Sequence, residues 1–158
     1  LFGAANVGLA TGDTSVNSGA PVVVMHNQNG TAYDGDVIAA MRGFFLRSFE
    51  IADAAGLARE NIILDPGIGF GKTAEQNMHV MRRMDELISY AGTDYPLLLG
   101  ASRKSFIGAA LDLPVEERME ATGAACVLGI TRGASIVRVH DVKPIARMCR
   151  MTDAILGA

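Results

Sequence analysis

Two kinds of segment alternate along the chain. Short continuous apolar runs end in polar residues, and longer stretches carry apolar residues three and four apart. The first kind reads as buried parallel strands and the second as amphipathic helices. Residues 21–26 (PVVVMH) form the first run, with Pro21 at the one strand position where its missing N–H is tolerated. After a polar loop, Asp36 is placed to cap a helix reaching to about residue 55. Val37, Met41, Phe44, Phe45, Phe49 and Ala52 form its buried face, and Gly56 ends it. The second run, 62–64, delivers Asp65 and stops at Pro66, followed by a loop in which Gly67, Gly69 and Gly71 alternate. Thr73 and Gln76 have the spacing of a capping box. The helix they open is expected to run to about residue 91, burying Met78, Met81, Met84, Leu87 and Ile88, with Gly92 as its stop.

A third strand is expected over 96–101, ending in the polar cluster Ser102, Arg103, Lys104 and Ser105. A short helix follows over 105–113. Pro114 then reads as the first helical residue before a helix over 115–131, made thin by Gly123, Ala124, Ala125 and Gly129. Gly133 closes it, a fourth strand covers 134–140, and Asp141 starts the last helix, 142 to about 156. Residues 1–20 show only weak periodicity, with a short helix near 4–10 and a turn at 17–19. They read as a poorly determined segment before the unit spanning 21–158.

Four βα repeats with short connections define an α/β protein with parallel strands. Four such units make half of an eight-stranded (β/α)₈, or TIM, barrel, so the expected architecture is a half-barrel. Its two open sheet edges are a physical reason to expect association. No Gly-x-Gly-x-x-Gly follows the first strand, and the loop 67–72 lacks P-loop spacing, so neither nucleotide fold gains support.

The strand ends place His26, Asp65, Lys104, Arg138 and His140 on one rim of the sheet, where α/β enzymes carry their chemistry. For His26 alone the structural reading, a core histidine bonded to backbone, comes first. For the other four, a ligand site does. Arg138 and His140 are two apart on one strand and so share a face. A guanidinium and an imidazole at that position read as a phosphate clamp. Asp65 suits a ligand with adjacent N–H donors, and Lys104 suits a carbonyl or ring nitrogen. Phe70 supplies an aromatic wall, and Ser105 stands at a helix start, a natural place for a carboxylate.

The segments 24–26 (VMH), 63–72 (ILDPGIGFGK), 99–108 (LGASRKSFIG) and 138–142 (RVHDV) closely resemble dihydropteroate synthase, of the pterin-binding (β/α)₈ barrels. The resemblance runs from about Pro21 to the C-terminus, in the order of that family's last four βα units. It implies a transferase of folate biosynthesis. There p-aminobenzoate displaces pyrophosphate from a dihydropterin-CH₂-pyrophosphate and dihydropteroate forms. By resemblance, Asp65 holds the pterin, Met25 packs against it, and Lys104 contacts it near the p-aminobenzoate. Arg138 stacks on it and reaches the anion pocket with His140, and Gly100 belongs to the same substrate-binding set. Phe70 and Ser105 line the p-aminobenzoate pocket, which sulfonamides also target in this family. Lys104, Arg138 and His140 are the implied catalytic set. Mg²⁺ accompanies the pyrophosphate without a protein ligand identified here, and the assembly is a homodimer. The family's first four units, with their Asn and Asp pterin ligands and two mobile loops, find no match in residues 1–20. The chain is therefore expected to turn over poorly or not at all alone. A pterin-dependent methyltransferase barrel and a non-catalytic pterin-binding fragment are the alternatives.

Composition adds limits. With 49% hydrophobic and 20% charged residues, the composition of this 158-residue chain argues against disorder. A net charge of −3 does not favour a nucleic-acid backbone as partner. The apolar runs are too short to cross a bilayer. Two cysteines, Cys126 and Cys149, read as free thiols in a reducing compartment, and no secretory signal opens the chain, so a cytoplasmic location is expected. Leu1 rather than Met at the first position suggests a cut or partial chain.

Overall fold

The computed structural model describes residues 19–157. The helix expected near residues 4–10 lies outside them, as does most of the 17–19 turn. The elements run β1 (Val22–Met25), α1 (Val37–Ala54), β2 (Ile62–Asp65), α2 (Ala74–Arg82), β3 (Ser89–Tyr90), β4 (Thr93–Asp94), β5 (Leu98–Leu99), α3 (Ser105–Leu111), α4 (Met119–Thr131), β6 (Ile136–Val137) and α5 (Val142–Leu156). β1 pairs with β2 and β5 with β6, both in parallel. A parallel bridge between Leu64 and Leu97 joins the two pairs, so the four strands follow one another in chain order. Among the described residues, nothing pairs with the far side of β1 or of β6.

The core lies between these strands and α1. Ile62, Leu64, Leu97 and Leu99 from the strands are fully buried, as are Met41 and Phe45 from α1. Burying each such side chain stabilises the fold by about 1.5–3 kcal/mol. The Asp36 carboxylate caps α1 by accepting from Ile38 N. The expected apolar face of α1 is buried except Phe44, which is partly covered and meets the His26 ring edge-on at 5.1 Å. The thin helix also behaves as its composition suggests. Gly129 of α4 is where Leu99 presses in, and no side chain would fit between them.

Two helix expectations fail. The capping box of Thr73 and Gln76 forms, but α2 ends at Arg82 and the chain does not stay helical to residue 91. A 3₁₀ turn, Met84–Leu87, follows, and then the antiparallel hairpin β3–β4. Its two-residue turn puts Ala91 at φ 51° and Gly92 at φ 80°, the doubly positive pair that hairpins favour. Gly92 is thus a hairpin residue and not a helix stop. The reason is aromatic packing: the hairpin brings Tyr90 edge-on to Phe49 at 5.1 Å and sets Tyr95 flat on Phe49 at 4.6 Å. The apolar spacing misleads because a 3₁₀ turn buries residues three apart, here Met84 and Leu87, much as a helix would. Pro114 likewise precedes only a 3₁₀ turn, Val115–Glu117, and α4 begins at Met119.

Cys126 is buried and Cys149 half-buried, both as free thiols, and burial pushes the Cys126 thiol up to about 11. Among the described residues, no helix is long and apolar enough to cross a membrane.

Candidate functional site

The C-terminal ends of the four parallel strands meet on one rim. β2 ends in Asp65, which stands in register with Met25 of β1. Asp65 is 2% exposed. Its Oδ1 accepts from the Gly67 N–H at 2.7 Å, and its Oδ2 lies 3.8 Å from Arg138 Nη2. Burial pushes this carboxyl above its ordinary value. The Gly67 N–H and the charges of Arg138, Lys104 and Lys72 oppose that rise without cancelling it. Met25 is buried, and its side chain packs toward Gly67.

The glycine loop then turns back on itself. Gly67 holds φ 63°, and a Cβ there would run into the His26 carbonyl, so only glycine fits. Phe70 donates its N–H to the Gly67 carbonyl at 3.0 Å, and its ring carries the Lys104 ammonium 4.0 Å from the centroid. Lys72 points inward. Its Nζ donates to the carbonyls of Gly67 and Phe70, each at 3.1 Å, and lies 3.0 Å from His26 Nδ1. His26 is buried, and desolvation first, with the Lys72 charge second, lowers its pKa to about 3. A neutral imidazole facing an ammonium takes the tautomer with its lone pair on Nδ1. His26 is therefore the core histidine that its strand pattern allowed.

β5 leads to Gly100, Ser102 and Lys104. A Cβ on Gly100 would sit 2.9 Å from Arg138 Nη2, so this glycine leaves room for the guanidinium. Arg103, at φ 57°, turns away from the rim. It pairs with Asp141 through Nη2–Oδ1 at 2.8 Å and Nε–Oδ2 at 3.1 Å. Asp141 consequently makes no side-chain cap for α5. Desolvation and the nearby Arg138 lower the Lys104 pKa, and Asp65 opposes this.

β6 supplies the remaining pair. Arg138 N donates to Leu99 O at 2.9 Å, which extends the ladder to the rim. Ser102 Oγ lies 2.8 Å from His140 Nδ1 and accepts from His140 N at 3.2 Å, so one hydroxyl fixes both ring and backbone. Gly100, Ser102, Lys104, Arg138, Val139 and His140 line a cleft of about 270 Å³. That is slightly below the roughly 300 Å³ at which complete small-molecule pockets begin.

Of the expected site residues, Gly100, Lys104, Arg138 and His140 share this cleft. Asp65 joins through Arg138 and Phe70 through Lys104. Met25 lies beside Asp65 under the glycine loop. Ser105, the exposed first residue of α3, is outside the cleft lining. Sequence reasoning missed the support for these groups. Ser102 was visible only as one of a polar cluster. The Arg103–Asp141 pair and the Lys72–His26 contact join residues 38 and 46 positions apart, with no local signal. With three cationic or basic side chains on the cleft, its chemistry is that of an anion site. Among the described residues, no three His, Cys, Asp or Glu side chains converge closely enough to hold a metal ion.

Comparison with known proteins places the chain in a family. The family model described as pterin binding enzyme matches residues 10–140. The dihydropteroate synthase of Bacillus subtilis is 52% identical over 137 residues, covering 87% of this chain and 47% of that protein. That of Escherichia coli K12 is 36% identical over 153 residues, covering 92% of this chain and 53% of the relative. The chain thus spans about half the length of the curated relatives it matches. Among solved structures, the dihydropteroate synthase of Clostridium difficile, crystallised in the presence of pteroic acid, superposes with a TM-score of 0.85 at 49% identity. That match covers 89% of this chain and 52% of the other. The Yersinia pestis enzyme gives 0.85 at 36% identity, covering 91% and 58%. With the family model matching 131 of its 158 residues (10 through 140), the chain belongs to the pterin-binding enzymes.

Proposed function

We propose that the chain carries the C-terminal half of a dihydropteroate synthase, built on the last four βα units of a TIM barrel. The carrying observation is the position of Arg138. It faces the buried Asp65 carboxylate on one side, and it lines an anion cleft with Lys104 and His140 on the other. A ligand with N–H donors at one end and a diphosphate at the other would match that order of charges. A dihydropterin-CH₂-diphosphate is such a ligand.

In this reading Asp65 accepts the pterin's N–H donors, and Met25 packs beneath the ring. Arg138 lies against the ring, in the space that Gly100 leaves open. The p-aminobenzoate amine attacks the methylene carbon. A C–N bond forms, the C–O bond breaks, the electron pair leaves with diphosphate, and the proton shed by the amine nitrogen passes to the diphosphate or to solvent. Lys104, Arg138 and His140 stabilise the charge that develops on that leaving group. Phe70 walls the p-aminobenzoate pocket, where a sulfonamide would also sit, and Ser105 lies toward its carboxylate.

Magnesium does not fit a protein cage here. The cleft is basic, and the described residues offer no acidic or histidine cluster. Any Mg²⁺ would arrive bound to the diphosphate, and none of the steps above passes through it. A cytoplasmic homodimer completes the reading. Association between copies is supported by the unpaired outer sides of β1 and β6 among the described residues and by an apolar groove of about 420 Å³ that includes Met78, Met81, Phe106, Ile107, Leu111 and Leu128.

Calorimetric titration of the chain with pyrophosphate, and separately with a pterin, tests the proposal. Both should bind. Absence of anion binding would point instead to a pterin-dependent methyltransferase, and absence of both to a fragment that only assembles. In a condensation assay the chain alone should show little or no turnover. Activity equal to that of a complete relative would refute the half-site reading.

A further inference from the structure

The glycine loop is folded around an internal cation. Lys72 is 8% exposed, and its ammonium has three partners within 3.1 Å: the Gly67 carbonyl, the Phe70 carbonyl and His26 Nδ1. An ammonium has three protons, so the set is complete. Two of the partners belong to the loop itself and the third to the end of β1. Removing the ammonium would leave the buried Gly67 carbonyl with only the Phe70 N–H and take the Lys72 bond from the part-buried Phe70 carbonyl, at a turn that already needs Gly67 in a left-handed conformation. The outer wall of the loop is held separately. Tyr33 donates to Gly71 O at 2.8 Å, and Asn77 accepts from Gly69 N at 2.7 Å. No outer tie reaches the carbonyls of Gly67 and Phe70, the two residues flanking the ligand-facing turn.

We propose that Lys72 is a positioning residue for the pterin site: its buried ammonium ties the inner wall of the glycine loop to β1, and so places Phe70 and the carboxylate of Asp65. This rests on the pterin reading above and deepens it. Two consequences follow. Phe70 keeps its ring over Lys104 only while its own carbonyl is anchored. Asp65 takes its loop hydrogen bond from Gly67, whose carbonyl Lys72 holds. The charged groups around this hub are Asp65 at the end of β2, neutral His26 at the end of β1, and Arg47 of α1, which acts on His26. Lys104 and Arg138 face Asp65 from the far side. Burial lowers the Lys72 pKa to about 8, and Asp65 opposes the change. The hub therefore loses its charge within reach of ordinary buffers.

The test uses site-resolved amide hydrogen exchange and carboxyl NMR on the ligand-free chain, comparing wild type with Lys72→Met and Lys72→Arg. In Lys72→Met, protection at the Phe70 amide should fall at least about tenfold, with the separately tied Gly69 amide and the amides of Ile63 and Leu64 much less affected. The Asp65 titration midpoint should rise by about one pH unit, as expected when a nearby opposite charge is removed. Lys72→Arg, which keeps the charge, should leave the Asp65 midpoint near that of wild type. Equal loss of protection across the chain, or an unmoved loop, would overturn the proposal. If Lys72→Met does not fold, the wild-type chain still decides. The carbonyl ¹³C signals of Gly67 and Phe70 should shift together as the Lys72 ammonium loses its proton at a pH below that of a free lysine, and a Lys72 titration that moves neither carbonyl, or only one, would refute the hub. None of these readouts needs a ligand. A wild-type chain that shows them but binds no pterin would defeat the functional reading and leave the positioning role intact.

Discussion

Replacing Asp65 with asparagine should weaken ligand binding while leaving stability intact, and the two effects have separate origins. Asp65 Oδ1 already accepts the Gly67 N–H at 2.7 Å, which an asparagine Oδ1 can also do. Oδ2 is the atom left for a ligand, and asparagine puts an NH₂ there, donor against donor. One to two charge-assisted hydrogen bonds, at about 1.5–3 kcal/mol each, are at stake. A loss of about 2–4 kcal/mol weakens pterin binding roughly 30- to 700-fold. Stability follows another sign. The folded-state pKa of Asp65 is raised, so the native state favours the protonated carboxyl and the ionised form is a cost at pH 7. That cost is absent below the unfolded value near 3.9 and sets in as pH rises through the folded value. Asp65→Asn removes it, so the variant should unfold at pH 7 in urea no earlier than wild type. The gap between the two proteins should close as pH falls toward 4. Comparing the two also cancels His26, whose lowered pKa destabilises the fold on acidification in both. Calorimetric titration with a pterin and urea unfolding at several pH values measure the two halves. Unchanged pterin affinity, or a stability loss above about 1 kcal/mol at pH 7, would refute the reasoning.

Three further outcomes are expected. Gly100→Ala places a methyl 2.9 Å from Arg138 Nη2. The half-exposed guanidinium moves aside, so pyrophosphate affinity should fall about tenfold in calorimetry with a stability change under about 1 kcal/mol. Ser102→Ala frees the His140 ring and should redistribute its tautomers by ¹⁵N NMR, with pyrophosphate binding several-fold weaker. Phe45→Ala, at a site with no exposure, should cost about 3–5 kcal/mol in urea unfolding and leave the cleft chemistry untouched in whatever remains folded.

The local code of this protein was readable wherever one residue type has one physical use. Asp36 caps α1, Thr73 and Gln76 close a capping box, and Pro66 follows the last residue of β2, each from side-chain chemistry acting within a few positions. The βα order, and the polar residues at four strand ends, followed from apolar runs that stop at a rim. What the chain order could not convey is contact across distance. Whether residues 84–95 continue a helix or turn into a hairpin depends on Phe49, some forty positions away, which takes Tyr90 and Tyr95 against its ring. The direction of a side chain at a strand end is equally nonlocal. Arg103 and Lys104 are neighbours of the same charge, yet one turns back to Asp141 and the other reaches over Phe70. Lys72 ends the same glycine loop, and nothing near it in sequence shows that its ammonium is buried at the loop's centre. Outside residues 83–95 and 114–118, sequence alone determined the order of elements and the set of reactive groups, because capping, strand termination and hydrophobic period act locally. Only the tertiary structure decided which of those groups line the cleft and which make contacts that hold the others in place. Burial and three simultaneous hydrogen bonds are properties of the packed whole.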